Sequence, residues 1–174
     1  MPGRAAAVDQ AILAPGLVCT IPPPAAANQN VSAAQTIVAQ FRGQTFAFQA
    51  QLQMTPAEFD FVALDNFGRR ALTAKWTGSY LVLTRAPWLP ALIRAADILT
   101  DVAIVYWPES RLASDLSACG ARLGENSEFR FVSAQARDVM TVHYGSGEGW
   151  NRSATLRNLA FGFTIDIQSV ELAQ

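Results

Sequence analysis

Histidine occurs once and cysteine twice in these 174 residues, and charged side chains make up only 16% of them. Each scarcity removes a class of chemistry. A zinc site wants three or four His or Cys ligands at short, regular spacings, whereas Cys19, Cys119 and His143 are scattered along the chain. Nucleophilic catalysis pairs its nucleophile with a base, and His143 simply alternates with Val142 and Tyr144 in a strand pattern, with no nucleophile elbow near it. It reads as an exposed or hydrogen-bonded strand residue, with a pH-sensitive ligand contact as the sharper alternative. Asp97 and Asp101 fall four apart on what reads as the polar, solvated face of a helix. Gly145-Ser146-Gly147-Glu148-Gly149 lacks the Lys-Ser/Thr ending and following helix of a phosphate loop, and reads as a hairpin. No catalytic residue, metal or cofactor is expected, and the protein is not expected to be an enzyme.

Basic residues are not clustered either. The formal charge is −1 and the close basic pair is Arg69-Arg70, so no nucleic-acid partner is expected. No apolar run approaches the roughly eighteen residues of a membrane span, because Ala11 to Cys19 is broken by Pro15 and Gly16. That stretch also lacks the basic start and small-residue cleavage site of a signal peptide. Cys19 follows Leu17-Val18, whereas a lipid-modified cysteine follows a small residue. The chain as written is expected to be soluble and unlipidated, so that an export leader or membrane-associating segment would lie outside it. The two cysteines leave two readings open. They are unrelated thiols, or they form a disulfide across a loop of about 100 residues, contributing roughly 4 to 5 kcal/mol in the chain-entropy model and requiring an oxidising compartment.

What the chain has in quantity is apolar surface. At 51% hydrophobic it carries more than an ordinary core requires, and the excess suits a cavity or an interface. Residues 1–33, with Pro22-Pro23-Pro24 and Ala25-Ala26-Ala27, read as a stiff extended arm without a core of its own. Residues 34–174 read as a single domain. Alternation predicts strands over Ile37 to Phe41, Thr45 to Met54, Glu58 to Leu64, Arg70 to Trp76 and Tyr80 to Thr84, joined by turns so short that neighbours must be antiparallel. In the second strand Phe46, Phe48, Ala50 and Leu52 share one face and Gln49, Gln51 and Gln53 the other. Pro90 suits the first turn of a helix that carries Leu92, Ala96, Leu99, Ala103 and Tyr106 on one side and Arg94, Asp97 and Asp101 on the other. Pro108-Glu109 restarts a helix and Gly120 ends it, giving a helical lid over 88–119 with Gly78, Pro87 and Gly120 as hinge candidates. Strands return at Phe129 to Val132, Val139 to Tyr144, Ala154 to Leu159 and Phe161 to Val170.

That order of strands, helices and strands resembles the LolA/LolB superfamily of bacterial lipoprotein carriers. Phe67-Gly68-Arg69-Arg70, Trp88-Leu89-Pro90, Val105-Tyr106-Trp107-Pro108 and Phe161-Gly162-Phe163 look more specifically like an uncharacterised family of predicted bacterial lipoproteins similar to LolB, often encoded beside fatty-acid-type or aryl-polyene biosynthesis genes. The resemblance covers roughly residues 20–172. It implies a mainly β fold with a helical insertion (α+β), in which a strongly curved antiparallel sheet of about ten strands forms an open half-barrel covered by short helices.

Taken singly, Phe46, Phe48, Phe59, Phe61, Leu72, Trp76, Trp88, Leu92, Leu99 and Phe163 are ordinary core residues. As a set they are the candidate lining of a ligand cavity between sheet and helices. The expectation is a monomeric, non-enzymatic carrier or receptor of the bacterial envelope, in the periplasm or at the inner face of the outer membrane. Its partner would be a lipid: an acyl chain, a lipoprotein anchor or an aryl-polyene lipid. The alternative is a structural or assembly module of a lipid-biosynthesis complex without a small-molecule ligand. A third reading, an enzyme acting on thioester-bound acyl groups, needs His143 to face the cavity beside an acid and a hydroxyl.

Overall fold

The computed structural model describes residues 6–173. The chain begins with a hairpin of β1 (Gln10–Ala14) and β2 (Leu17–Thr20), followed by one helical turn, α1 (Pro24–Ala27). Five strands follow: β3 (Val31–Phe41), β4 (Gln44–Met54), β5 (Phe59–Leu64), β6 (Arg70–Trp76) and β7 (Leu81–Arg85). The helices α2 (Ala95–Tyr106) and α3 (Glu109–Ala118) come next. The chain closes with β8 (Arg122–Glu125), β9 (Phe129–Ala134), β10 (Arg137–Tyr144), β11 (Ala154–Asn158) and β12 (Phe163–Glu171).

The fold is mainly β. A 10-stranded antiparallel sheet runs in the order β7-β6-β5-β4-β3-β12-β11-β10-β9-β8, so two five-stranded meanders are joined where β3 pairs with β12. Edge strands β7 and β8 do not pair with each other, which leaves the curved sheet open rather than closed into a barrel. Register follows from alternation. Ile37 lies opposite Phe48 and Ile167, Ala39 opposite Phe46 and Ile165, and Phe41 opposite Phe163, which puts an apolar patch on the inner face at the seam. Gln49, Gln51 and Gln53 are exposed on the outer face.

Residues 10–27 are not an extended arm. Ala11, Leu13, Cys19 and Ile21 are almost wholly buried, and the hairpin packs on α2 and β10. Asn158 Nδ2 donates to the Leu13 carbonyl (2.8 Å) and Trp76 Nε1 to that of Pro22 (3.0 Å). Cys19 and Cys119 form a disulfide that ties β2 to the end of α3. The Pro-rich composition misled because Pro15-Gly16, with Gly16 at φ +78°, makes a hairpin turn, and the flanking apolar residues alternate.

Covering α2 by this hairpin changes the helix as well. With the sheet on one side and β1 on the other, Thr100 and Asp101 are buried together with Leu99, Val102, Ala103, Ile104 and Val105. The expected solvated face is therefore absent at Asp101. The helix also starts later than Pro90 suggests. Arg85 Nη1 donates to the Ile93 carbonyl (2.9 Å) and Nη2 to those of Leu89 (3.1 Å) and Pro90 (2.9 Å), holding 86–93 as consecutive turns. At the other end Arg130 Nη1 donates to the carbonyls of Ile104 (2.6 Å) and Trp107 (2.7 Å), and Tyr144 Oη donates to that of Val105, so the last turn of α2 is capped from the sheet. The stop at Gly120, φ +91°, and the restart after Pro108 lie where the sequence places them.

Candidate functional site

Between the seam of the sheet and the first half of α2 lies a half-open cavity of about 350 Å³. Its wall is the inner face of β3, β4 and β12, chiefly Ile37, Phe46, Phe48, Phe163, Ile165 and Ile167, extended by Phe61 and Leu72. Leu92, Ile98 and Val102 face it from the helical side, and Ile12 closes it from the hairpin. The hairpin, α2 and α3 fill the rest of the concave surface and leave this end under-packed. At the rim, Leu92 is 54% and Phe161 37% exposed.

Six of the ten residues singled out from the sequence, Phe46, Phe48, Phe61, Leu72, Leu92 and Phe163, meet at this cavity. The other four lie elsewhere. Phe59 and Leu99 are sealed in the core, Phe59 against Trp107 at 6.2 Å between ring centroids. Trp76 is buried beneath Pro22. Trp88 is half-exposed, with the Arg69 guanidinium 4.3 Å from its ring centroid. Of the hinge candidates, Gly78 packs tightly on Pro23, and Gly120 follows the bonded Cys119.

The polar side chains lining the cavity are Arg94, which precedes α2, and Asp97 and Asp101, in its first and second turns. Asp97 Oδ1 accepts from the Ile12 amide (2.9 Å) and from Arg94 Nη1 (3.2 Å). Arg94 Nη2 donates in turn to the carbonyls of Gln10 (2.9 Å) and Ala7 (3.3 Å). Asp101 is 5% exposed and accepts no hydrogen bond among the described residues. Burial pushes its carboxyl well above the usual carboxylate range, and the neighbouring Asp97 charge adds to the shift. Burial raises Asp97 too, against the lowering effects of the Ile12 amide and Arg94. Sequence reasoning missed Asp101 because an i, i+4 acidic pair on an amphipathic helix is normally solvated, and the element that covers it is distant in sequence.

His143 lies on the outer face of β10. It stacks on Phe129 at 4.6 Å between centroids and sits beside Thr141, Thr155 and Arg157. The thioester reading required it to face the cavity, and it does not. Among the described residues no three His, Cys, Asp or Glu side chains come together as a metal site, and no helix is long and apolar enough to cross a membrane.

A family model described as protein of unknown function (DUF3261) matches residues 32–171. No curated protein matches the chain.

Proposed function

The chain belongs to the DUF3261 family, and we propose that it is a non-enzymatic carrier or receptor for an acyl-chain lipid in the bacterial envelope. The observation that carries this reading is the cavity of about 350 Å³, whose wall residues from β3, β4 and β12 are all apolar. Its size lies within the range of small-molecule sites, roughly 300 to 1,000 Å³. Each methylene moved into it from water contributes about 0.8 kcal/mol, so a chain of moderate length binds without extensive polar recognition. The open sheet under a helical cover is read here as a half-barrel of the LolA/LolB kind. The Cys19–Cys119 disulfide supports an oxidising compartment such as the periplasm. A lipoprotein anchor and an aryl-polyene lipid are further ligands of the same class.

The test is native mass spectrometry of the disulfide-intact chain incubated with methyl palmitate and with a diacyl phospholipid. One bound lipid per chain supports a carrier. No added mass with either lipid defeats it and leaves the assembly-module reading, in which exposed Phe67 and Trp88 serve protein contacts.

A further inference from the structure

The cavity is apolar except at one end, and there the polar groups are unequally used. Asp97 is neutralised by Arg94 and hydrogen-bonded by the Ile12 amide, and Arg94 spends its other nitrogen on the Gln10 and Ala7 carbonyls. Asp101, one turn further along α2, lines the cavity at 5% exposure and takes no part in these pairings. It is the charged side chain of the lining left for a bound ligand to engage.

We propose that Asp101 is the polar recognition group of the cavity, its carboxyl donating a hydrogen bond to the carbonyl oxygen of an uncharged acyl ligand whose chain lies along Phe48, Ile165 and Ile167. This rests on the carrier reading and adds the chemical class of the ligand's head.

The choice of head follows from the charges at the site. The charged groups that line the cavity with Asp101 are Asp97 on its own helix and Arg94 just before that helix, and these already form a pair. The sheet and the hairpin present only apolar side chains to it. With no cation to hold an anion, the favoured form is the neutral acid, and burial shifts its titration in that direction. A neutral carboxyl offers an O–H donor, which a carbonyl oxygen accepts without bringing charge into the cavity. An amine head would need Asp101 ionised and would carry a second ion out of water. A bare alkane would leave Asp101 unpaired.

Competition against bound anilinonaphthalene sulfonate, with methyl decanoate, decane and decylamine on the full-length protein, separates these cases. Wild type is expected to bind the ester about three- to tenfold more tightly than decane, the value of one hydrogen bond. In Asp101→Leu that preference falls to about one while decane still binds. In Asp101→Asn, whose amide still donates, the preference persists. Equal affinity for ester and decane in wild type overturns the inference and leaves the carrier reading intact. Tightest binding of decylamine, lost in Asp101→Leu, overturns it in favour of a cationic head. Failure of all three to compete overturns both. The wild-type comparison needs no variant, so a substitution that impairs folding leaves the inference testable.

Discussion

The Asp97 carboxylate accepts the backbone N–H of Ile12 at 2.9 Å, joining the first turn of α2 to a hairpin strand 85 residues earlier in the chain. One side chain thus satisfies a strand amide and neutralises Arg94. Asp97→Ala orphans the Ile12 amide and removes the charge partner of Arg94, which keeps its bonds to the Gln10 and Ala7 carbonyls, and an expected loss of about 1–3 kcal/mol follows from the unpaired donor. Urea denaturation measures the loss, and faster hydrogen exchange at the Ile12 amide places it at this contact.

Asp101 makes stability depend on pH in a fixed direction. Its folded pKa lies well above the ordinary value of 3.8, so between those two values the folded state binds more protons than the unfolded state. Stability therefore falls as pH rises from about 4, until the folded pKa is passed. Asp101→Leu removes this contribution. The variant is expected to gain stability relative to wild type as pH rises, reaching about 1–3 kcal/mol near neutrality. Urea midpoints of both proteins across that pH range check it, and their difference cancels the like-signed shifts at Asp60 and Asp115.

The disulfide closes a loop spanning a sequence separation of 100. Replacing both cysteines by serine is expected to cost roughly 4 to 5 kcal/mol if loop entropy dominates. Loosening is expected first in β2 and α3, which the bond joins. Denaturation with and without reductant reads the total, and hydrogen exchange reads the distribution.

The β9–β10 hairpin turns through Gln135 at φ +51° and Ala136 at φ +61°, a left-handed pair that neither residue favours. Gln135→Asn with Ala136→Gly is expected to raise stability by about 1–2 kcal/mol without altering ligand binding, because neither residue lines the cavity. Thermal unfolding measures the gain.

That turn also shows why parts of the fold were hidden in the sequence. Arg42-Gly43 announces the β3–β4 hairpin through its glycine, whereas Gln135-Ala136 carries no turn residue although its backbone is equally left-handed. The five-strand meander was legible because Phe46 to Leu52 and Phe59 to Ala63 alternate on a half-buried sheet, where side-chain period and burial coincide. The hairpin at 10–20 was not, because it lies within a stretch, 1–33, that is rich in proline and alanine, and its stability comes from α2 and the sheet rather than from local preference. Missing that cover is also what placed Asp101 in solvent. The cavity's aromatic wall could be read from strand alternation. Its polar end could not, since it depends on a contact between residues 12 and 97.

The most direct test of the central claim is native mass spectrometry with methyl palmitate on wild type and on Ile165→Trp, which fills the cavity where Ile165 sits between Ala39 and Leu156 of the neighbouring strands. Wild type is expected to carry one methyl palmitate per chain, and the variant, folded with a similar thermal midpoint, to carry none. Methyl palmitate bound equally by both proteins, or by neither, would contradict a lipid site between β3, β4, β12 and α2.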